Sequence, residues 1–395
     1  MIRVGFILTN NGNGWVGGVN YLSNLLHAIA KVKNRQIEPV LIVPPSTPVT
    51  LLAAFPPWQV LHTPLADGQQ RSWHLARKLG ERFLGRDVLM ERFLTQHGID
   101  ILSHSGPLGR HATLPTIGWI PDFQHRRMPS FFQRAELAAC ERGYRRLSKH
   151  CTTVLLSSMD AQQDLAAFNP AAIPFSKVLH FVSGFAGGAK PLVEEIILRD
   201  RYSLSEPYFH LPNQFWIHKN HRVVIDALAL LKERGCPVIV VCTGHTKDHR
   251  WPDYFDELMS HARTQGVADC FRVLGLVPYE DMVSLMVHST AIINPSLFEG
   301  WSTTVEETKS LGLTVVLSDI PVHREQNPEL GIYFDPESPA SLADTLENVL
   351  KINSTEIKLA SRTKAKENVA KRFSEFGAKY QQIVLEAVSI KHSKS

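Results

Sequence analysis

Short apolar runs along this chain alternate with longer stretches in which apolar positions return every three or four residues. In the first half the runs fall at 4–8, 39–43, 100–103, 115–119 and 153–157. Brief buried runs separated by amphipathic stretches predict strands joined by crossover helices, the βαβ pattern of a parallel sheet. The second half repeats the scheme. Strands are predicted at 208–213, 237–243, 271–274, 291–295 and 314–317, and helices at 221–234, 253–265, 280–288 and 340–350. One more helix is predicted to follow the strand at 291–295 and to end at Gly312.

Between the two sets lies Gly184-Phe-Ala-Gly-Gly188, a run of small residues that reads as a hinge. Near the end, Phe373, Phe376, Tyr380, Ile383 and Val384 share one face at helical spacing, so a final amphipathic helix is expected from about Phe373. The expected organisation is α/β with two domains. The first is 1–185, to which the helix 373–395 belongs, and the second is 186–372.

Length agrees, since 395 residues exceed what one hydrophobic core serves. A hydrophobic share of 44% is that of a globular protein. No apolar run approaches the ~20 residues of a membrane span. The apolar start, Met1 to Leu8, is short and lacks a cleavage pattern, so it reads as a first buried strand. The five cysteines form no Cys-x-x-Cys and read as reduced thiols of a cytoplasmic protein. The 18 histidines form no His-Glu-x-x-His.

Charge is unevenly placed. Residues 1–180 hold 19 Lys and Arg against 11 Asp and Glu, a net of +8, and the remainder carries −4. Two segments concentrate the excess, one from Arg71 to Leu84 and one from Arg126-Arg127 to Arg145-Arg146. In the first, Trp73, Leu75, Leu79, Phe83 and Leu84 are mixed with the basic residues. Two readings follow: a solvated helix whose apolar side enters the domain core, which we favour, or a helix lying on an anionic membrane. The second would place the protein peripherally at the inner membrane face. Nucleic acid is not expected, because no nucleic-acid motif accompanies the charge.

The loop after the first strand contains Gly12, Gly14 and Gly17, a literal Gly-x-Gly-x-x-Gly. A dinucleotide site also needs an acid after the second strand to hold the ribose. That strand runs into Pro44-Pro45-Ser46, so NAD is rejected and no cofactor is expected.

The densest chemistry lies at Asn294-Pro-Ser-Leu-Phe-Glu-Gly-Trp-Ser-Thr-Thr-Val-Glu-Glu307. Glu299 falls on a strand-to-helix loop and Glu307 about two turns into the helix. In an open parallel sheet, ligands sit off the carboxyl ends of the strands. Backbone amides of Gly300, Trp301, Ser302, Thr303 and Thr304 would open the helix and suit an anion. Two carboxylates placed this way can accept from the hydroxyls of two sugars.

This stretch resembles the Glu-x7-Glu signature of the retaining glycosyltransferases of family 4 (group 1). Supporting segments extend the resemblance over most of the chain. It implies the GT-B fold: two Rossmann-like parallel-sheet domains facing each other across a cleft, with the C-terminal helix returning to the first. It also implies that Glu299 binds donor-sugar hydroxyls and Glu307 the nucleotide ribose. Trp301 and Ser302 stand where the family has Phe and Gly. Gly17 and Gly18 fit the family's glycine-rich loop, where backbone closes on donor and acceptor. Lys219, just before a helix with Asn220 as its expected cap, fits the family's diphosphate-binding lysine. Gln214 stands where the family has an arginine. Gly244 ends a strand, and Leu274-Gly-Leu-Val-Pro278 resembles the turn that reads the base through main-chain groups.

Many members carry His-Asp where this chain has Pro121-Asp122, so Asp122 is retained and His125, three residues on, is the expected substitute. The implied function is metal-independent transfer of a hexose, with retention, from a nucleotide-diphosphate sugar to a hydroxyl of a glycan or lipid-linked acceptor, in cell-surface polysaccharide synthesis. Asp-x-Asp is absent, which argues against a metal-dependent GT-A enzyme. A sugar-nucleotide epimerase, an inverting transferase and a non-catalytic sugar-nucleotide-binding protein are the alternatives.

Overall fold

The computed structural model describes residues 1–8, 16–67, 71–184, 192–204, 207–352 and 355–392. The chain divides into two compact units. The first comprises Met1–Arg127, Arg134–Val182 and Lys371–Ser395, and the second Met128–Gln133 with Ser183–Ala370. Gly12, Gly14 and most of the expected hinge, from residue 185 on, lie outside the described residues.

The first unit holds seven strands: β1 (Ile2–Ile7), β2 (Ile37–Val43), β3 (Gln59–His62), β4 (Ile101–Ser103), β5 (Thr116–Ile120), β6 (Thr153–Leu156) and β7 (Ser176–Val178). They pair in parallel in the order β3-β2-β1-β4-β5-β6-β7. Five were legible as apolar runs; β3 and β7 were not. The second unit holds β8 (Tyr208–Leu211), β9 (Ile239–Thr243), β10 (Phe271–Gly275), β11 (Ile292–Asn294), β12 (Val315–Ser318) and β13 (Gly331–Phe334). Its order, β10-β9-β8-β11-β12-β13, is also all parallel.

Val240, Val241, Val315 and Val316 have no exposed surface. Burial on both faces is why these strands read as continuous apolar runs rather than alternating ones. Sheet order reverses between β1 and β4 in one unit and between β8 and β11 in the other. Those are the two points where a crevice opens beyond the strand ends.

The final helix, Thr355–His392, begins well before the expected Phe373. Phe373, Phe376, Tyr380, Ile383, Val384 and Ala387 are all buried. Its last half belongs to the first unit, where Tyr380 donates to Ser103 Oγ at 2.7 Å and Gln381 bonds to Asn34 and Gln36. A Cβ on Gly377 would come within 2.4 Å of the Ala28 carbonyl oxygen, so only glycine lets this helix lie so close to helix Val16–Ala30.

Helix Arg71–Leu84 overturns the favoured expectation. Leu75, Leu79, Phe83 and Leu84 are exposed, and Trp73 is 40% exposed; they are not part of the buried core. The second basic segment is ordinary by comparison. Arg127 pairs with Asp160 and Asp164, and Arg126 and Arg145 pair with Glu141. Among the described residues, no helix is long and apolar enough to cross a membrane.

Candidate active site

The residues singled out in the second half gather at the carboxyl edge of the second sheet. Beyond β8 the chain turns through Asn213 and Gln214. Beyond β11 it runs through Ser296 to Glu299 and enters helix Thr303–Leu311. The two loops flank the switch point and are tied across it, Asn213 Nδ2 donating to Asn294 Oδ1 at 3.0 Å. Asn294 Nδ2 donates to Ser302 Oγ at 2.7 Å, and Thr304 Oγ1 donates to Asn213 Oδ1 at 3.2 Å. Ser302 is the N-cap of the helix, its hydroxyl accepting from the Val305 amide.

Glu299 and Lys219 meet here. Lys219 Nζ donates to Glu299 Oε1 at 2.6 Å, with side chains 15% and 9% exposed. The Ser296 hydroxyl lies 2.7 Å from the same carboxylate oxygen and 2.8 Å from Asn294 Oδ1, and it can donate to one at a time. Burial pushes the Glu299 carboxyl up; the Lys219 ammonium, with help from His323, pulls harder the other way. The carboxyl ends below its ordinary value and stays ionised. His218 and His221 go down to about 3, first from burial and then from the Lys219 charge, so both are neutral near pH 7.

Glu307 is the counterpart without a cation. It is buried, and burial lifts its carboxyl to about 7 against a smaller downward pull from Ser183. Near neutral pH it is divided between its two protonation states.

Two expectations at this edge need correcting. Asn220 occupies the cap position of helix His221–Glu233, but its backbone is left-handed and its side chain caps nothing. Instead its Nδ2 donates to the Pro336 carbonyl at 2.9 Å, anchoring the lysine loop from outside. The Ser302 amide is not free for an anion either. It donates to Gln326 Oε1 at 3.1 Å, while Gln326 Nε2 returns bonds to the Ser302 carbonyl and to Glu306. The helix opens instead at Thr303 and Thr304, its first two positions, whose amides have no partner inside the helix.

The other donor-side candidates continue along the edge. The Gly244 amide donates to the Gly275 carbonyl, and the Phe215 amide to the His245 carbonyl. Gly244 has φ +146, and a Cβ there would meet the Asn213 carbonyl oxygen at 2.5 Å. The glycine is therefore what lets the β9 turn sit against Gln214. Pro278 starts helix Tyr279–His288 directly after the Gly275 turn, where Leu276 is exposed. Trp301 is buried beside the glutamate loop, and Gly300 is half-buried.

Gly17, Gly18, Asp122 and His125 belong to the first unit. Gly17 and Gly18 open helix Val16–Ala30, and no atom lies within 4 Å of where a Gly17 Cβ would be. Asp122 Oδ1 accepts from the Gln124 amide at 2.9 Å, closing a local turn. His125 is only 4% exposed, stacked on Phe123, edge-on to Tyr144 and 3.6 Å from Glu141. That is the setting of a packing residue.

Sequence reasoning did not single out Asn213, Ser296, Ser318, His323 or Gln326. Each is a buried polar residue in an apolar frame: Ser318 donates to the Ser296 carbonyl, and His323 bonds to Ser318. A polar residue ending a buried strand was the available signal. Among the described residues no group of three or more His, Cys, Asp and Glu side chains could hold a metal.

The family model for glycosyl transferases group 1 matches residues 201–372. The match spans most of the second unit, and both Lys219 and the two glutamates fall inside it. No curated protein matches the chain. Several solved structures share its fold. HepE of Anabaena, solved with UDP and glucose, aligns at TM-score 0.65 and 17% identity over 98% of this chain and 100% of that one. Sucrose-phosphate synthase of Thermosynechococcus elongatus aligns at 0.68 and 12% over 98% and 99%. WaaG, a glycosyltransferase involved in lipopolysaccharide biosynthesis, aligns at 0.56 and 14% over 97% and 99%. The fold of the chain is thus GT-B, with two Rossmann-like parallel sheets.

Proposed function

We propose that the protein is a glycosyltransferase. It takes a hexose from a nucleotide-diphosphate sugar and passes it, with retention and without a metal, to a hydroxyl of a glycan or lipid-linked acceptor. The second unit is the donor-binding domain and the first the acceptor side, in cell-surface polysaccharide synthesis. The observation that carries this reading is the buried Lys219–Glu299 pair beside the open helix end at Thr303 and Thr304, at the switch point of a sheet that matches the glycosyl transferases group 1 model. HepE, of like fold, has been solved with UDP-glucose, which supports a nucleotide-sugar donor.

In this reading the donor diphosphate takes the Lys219 ammonium and the amides at Thr303 and Thr304. Glu299, released from the lysine, accepts from hexose hydroxyls. Ionised Glu307 accepts from the ribose. Gln214, Gly244 and Pro278 line the diphosphate and base side. The bond between the anomeric carbon and the diphosphate oxygen breaks, and the diphosphate carries away the electron pair. Lys219 and the amides stabilise that charge as it develops. The acceptor oxygen bonds to the anomeric carbon from the same face, and its proton goes to the departing phosphate oxygen. Asp122, at a strand end of the first unit, is placed on the acceptor side.

A thermal-shift screen over UDP-, GDP- and ADP-sugars tests the donor. Stabilisation follows RT ln(1 + [L]/Kd), about 4 kcal/mol at a thousandfold excess over Kd, so the true donor separates from the others. No shift with any of them, or full turnover by Glu299→Ala, sinks the reading. The anomeric configuration of the product, read by NMR, tests retention.

A further inference from the structure

Helix Arg71–Leu84 is tied to the first unit through Arg77 and Glu81. Arg77 donates to Asp87 at 2.6 Å and to the Leu65 carbonyl at 2.7 Å, and Glu81 pairs with Arg146. The side turned to solvent carries an apolar row. Leu75, Leu79 and Phe83 follow one another at i, i+4 and i+8, exposed to 59%, 45% and 75%. Lys78 and Arg82, also exposed, form a parallel row beside them. Leu84 is exposed too, as are Val88, Leu89 and Arg92 on the next helix, Val88–Gln96.

The acids of this region do not balance those bases at the surface. Asp87 and Glu91 are buried and held by Arg77 and Arg86, and Glu81, partly exposed, is paired with Arg146. From Trp73 to Arg92, the exposed charged residues are therefore Lys78, Arg82 and Arg92, all basic.

We infer that this face docks on an anionic lipid bilayer, Leu75, Leu79 and Phe83 entering the headgroup boundary while Lys78, Arg82 and Arg92 meet lipid phosphates. A row of large apolar side chains in water is unfavourable, and a soluble monomer rarely leaves one uncovered. The chemistry of the cover follows from the charge. A second copy of this chain would set the three bases against three like charges, whereas an anionic bilayer satisfies both rows at once. The inference does not depend on which donor the second unit binds.

Sedimentation of the full chain with vesicles tests it. The probes are phosphatidylcholine alone and phosphatidylcholine with one part in three of phosphatidylglycerol. The protein is expected to pellet with the anionic vesicles, not with the neutral ones, and to release in about 1 M salt, where the screening length falls to about 3 Å. Lys78→Gln with Arg82→Gln should weaken vesicle binding by roughly 30-fold, from about fivefold for each basic residue near the surface. Leu79→Ser with Phe83→Ser should weaken it at least about tenfold, from the apolar area no longer buried. All four side chains face solvent, so the variants should melt like the parent and shift on donor addition as it does. Absence of binding to anionic vesicles, or binding that neither pair of changes weakens, overturns the inference. So does a dimer in sedimentation equilibrium that Leu79→Ser with Phe83→Ser dissociates.

Discussion

The carboxyl edges of the two sheets share a strand order and differ in what fills them. At the switch point of the first, neutral groups satisfy one another. Tyr21 Oη lies 2.8 Å from His104 Nε2, Ser103 Oγ lies 2.9 Å from His104 Nδ1, and Tyr380 donates to Ser103. Tyr21 stacks on Trp119 with ring centres 4.5 Å apart. Burial takes His104 down to about 3, so it carries no charge near neutral pH. At the switch point of the second, charge is enclosed instead: Lys219 and Glu299 are paired, and Glu307 is buried without a cation. The fold supplies a crevice beyond the strand ends in both cases; the side chains decide whether it holds a stable closed network or unspent charge.

The sharpest way to break this contrast is to remove one member of the charged pair. Lys219→Met leaves an ionised, buried Glu299 without its cation, and Glu299→Gln leaves the lysine stranded. Each should cost about 3–5 kcal/mol of stability, because the desolvation of the remaining charge is no longer offset. Lys219→Met with Glu299→Gln should recover much of that, read as Tm for all three proteins. Activity should not recover. Turnover should stay down by roughly 10²–10³-fold, as when a donor to a developing oxyanion is lost. Additive losses in the double variant would mean that the two groups do not act as a pair.

Glu307 gives the next largest effect, and its sign is opposite. Its folded value of about 7 lies above the ordinary 4.5, so the folded state holds the proton more tightly. That contribution is present below pH 4.5 and is lost as pH rises through 7. Above pH 7 the ionised carboxylate costs up to about 3 kcal/mol. Glu307→Gln removes the cost, so Tm at pH 8 should rise by several degrees over the parent while the two proteins match at pH 5. Nucleotide-sugar affinity should fall in the same variant, since the ribose loses its acceptor. A Tm gap that does not depend on pH would show that Glu307 does not titrate from a buried site.

Much of the frame was legible because both faces of the sheets are covered. Runs such as Val238 to Cys242 and Ala291 to Ile293 are apolar without interruption. The strands that escaped notice, β3, β7 and β13, all end a sheet. An edge strand is short and half-covered, and Ser176-Lys-Val178 leaves no apolar run to read. The glutamate loop was legible from its spacing. Its support was not, since Asn213 reaches Asn294 across 81 residues and Gln326 reaches Ser302 across 24. Helix Arg71–Leu84 shows the limit most clearly. Its periodicity gave an amphipathic helix correctly, but periodicity does not say which side faces the protein. Arg77 found a buried partner in Asp87 and Glu81 a partner in Arg146, which leaves Leu75, Leu79 and Phe83 to solvent.

The smallest expected effect sharpens the contrast from its quiet side. Tyr380→Phe deletes the hydroxyl that donates to Ser103 while keeping the buried ring. Ser103 retains its contact with His104 Nδ1, so the loss is one hydrogen bond in a network that is otherwise intact. The cost should be about 1 kcal/mol. It should appear in hydrogen exchange of β4 and the final helix, both in the first unit. Nucleotide-sugar affinity should not change, because none of the groups that would hold the donor belongs to this network. If the donor Kd moves with Tyr380→Phe, the neutral edge takes part in donor binding, and the division of labour between the two edges fails.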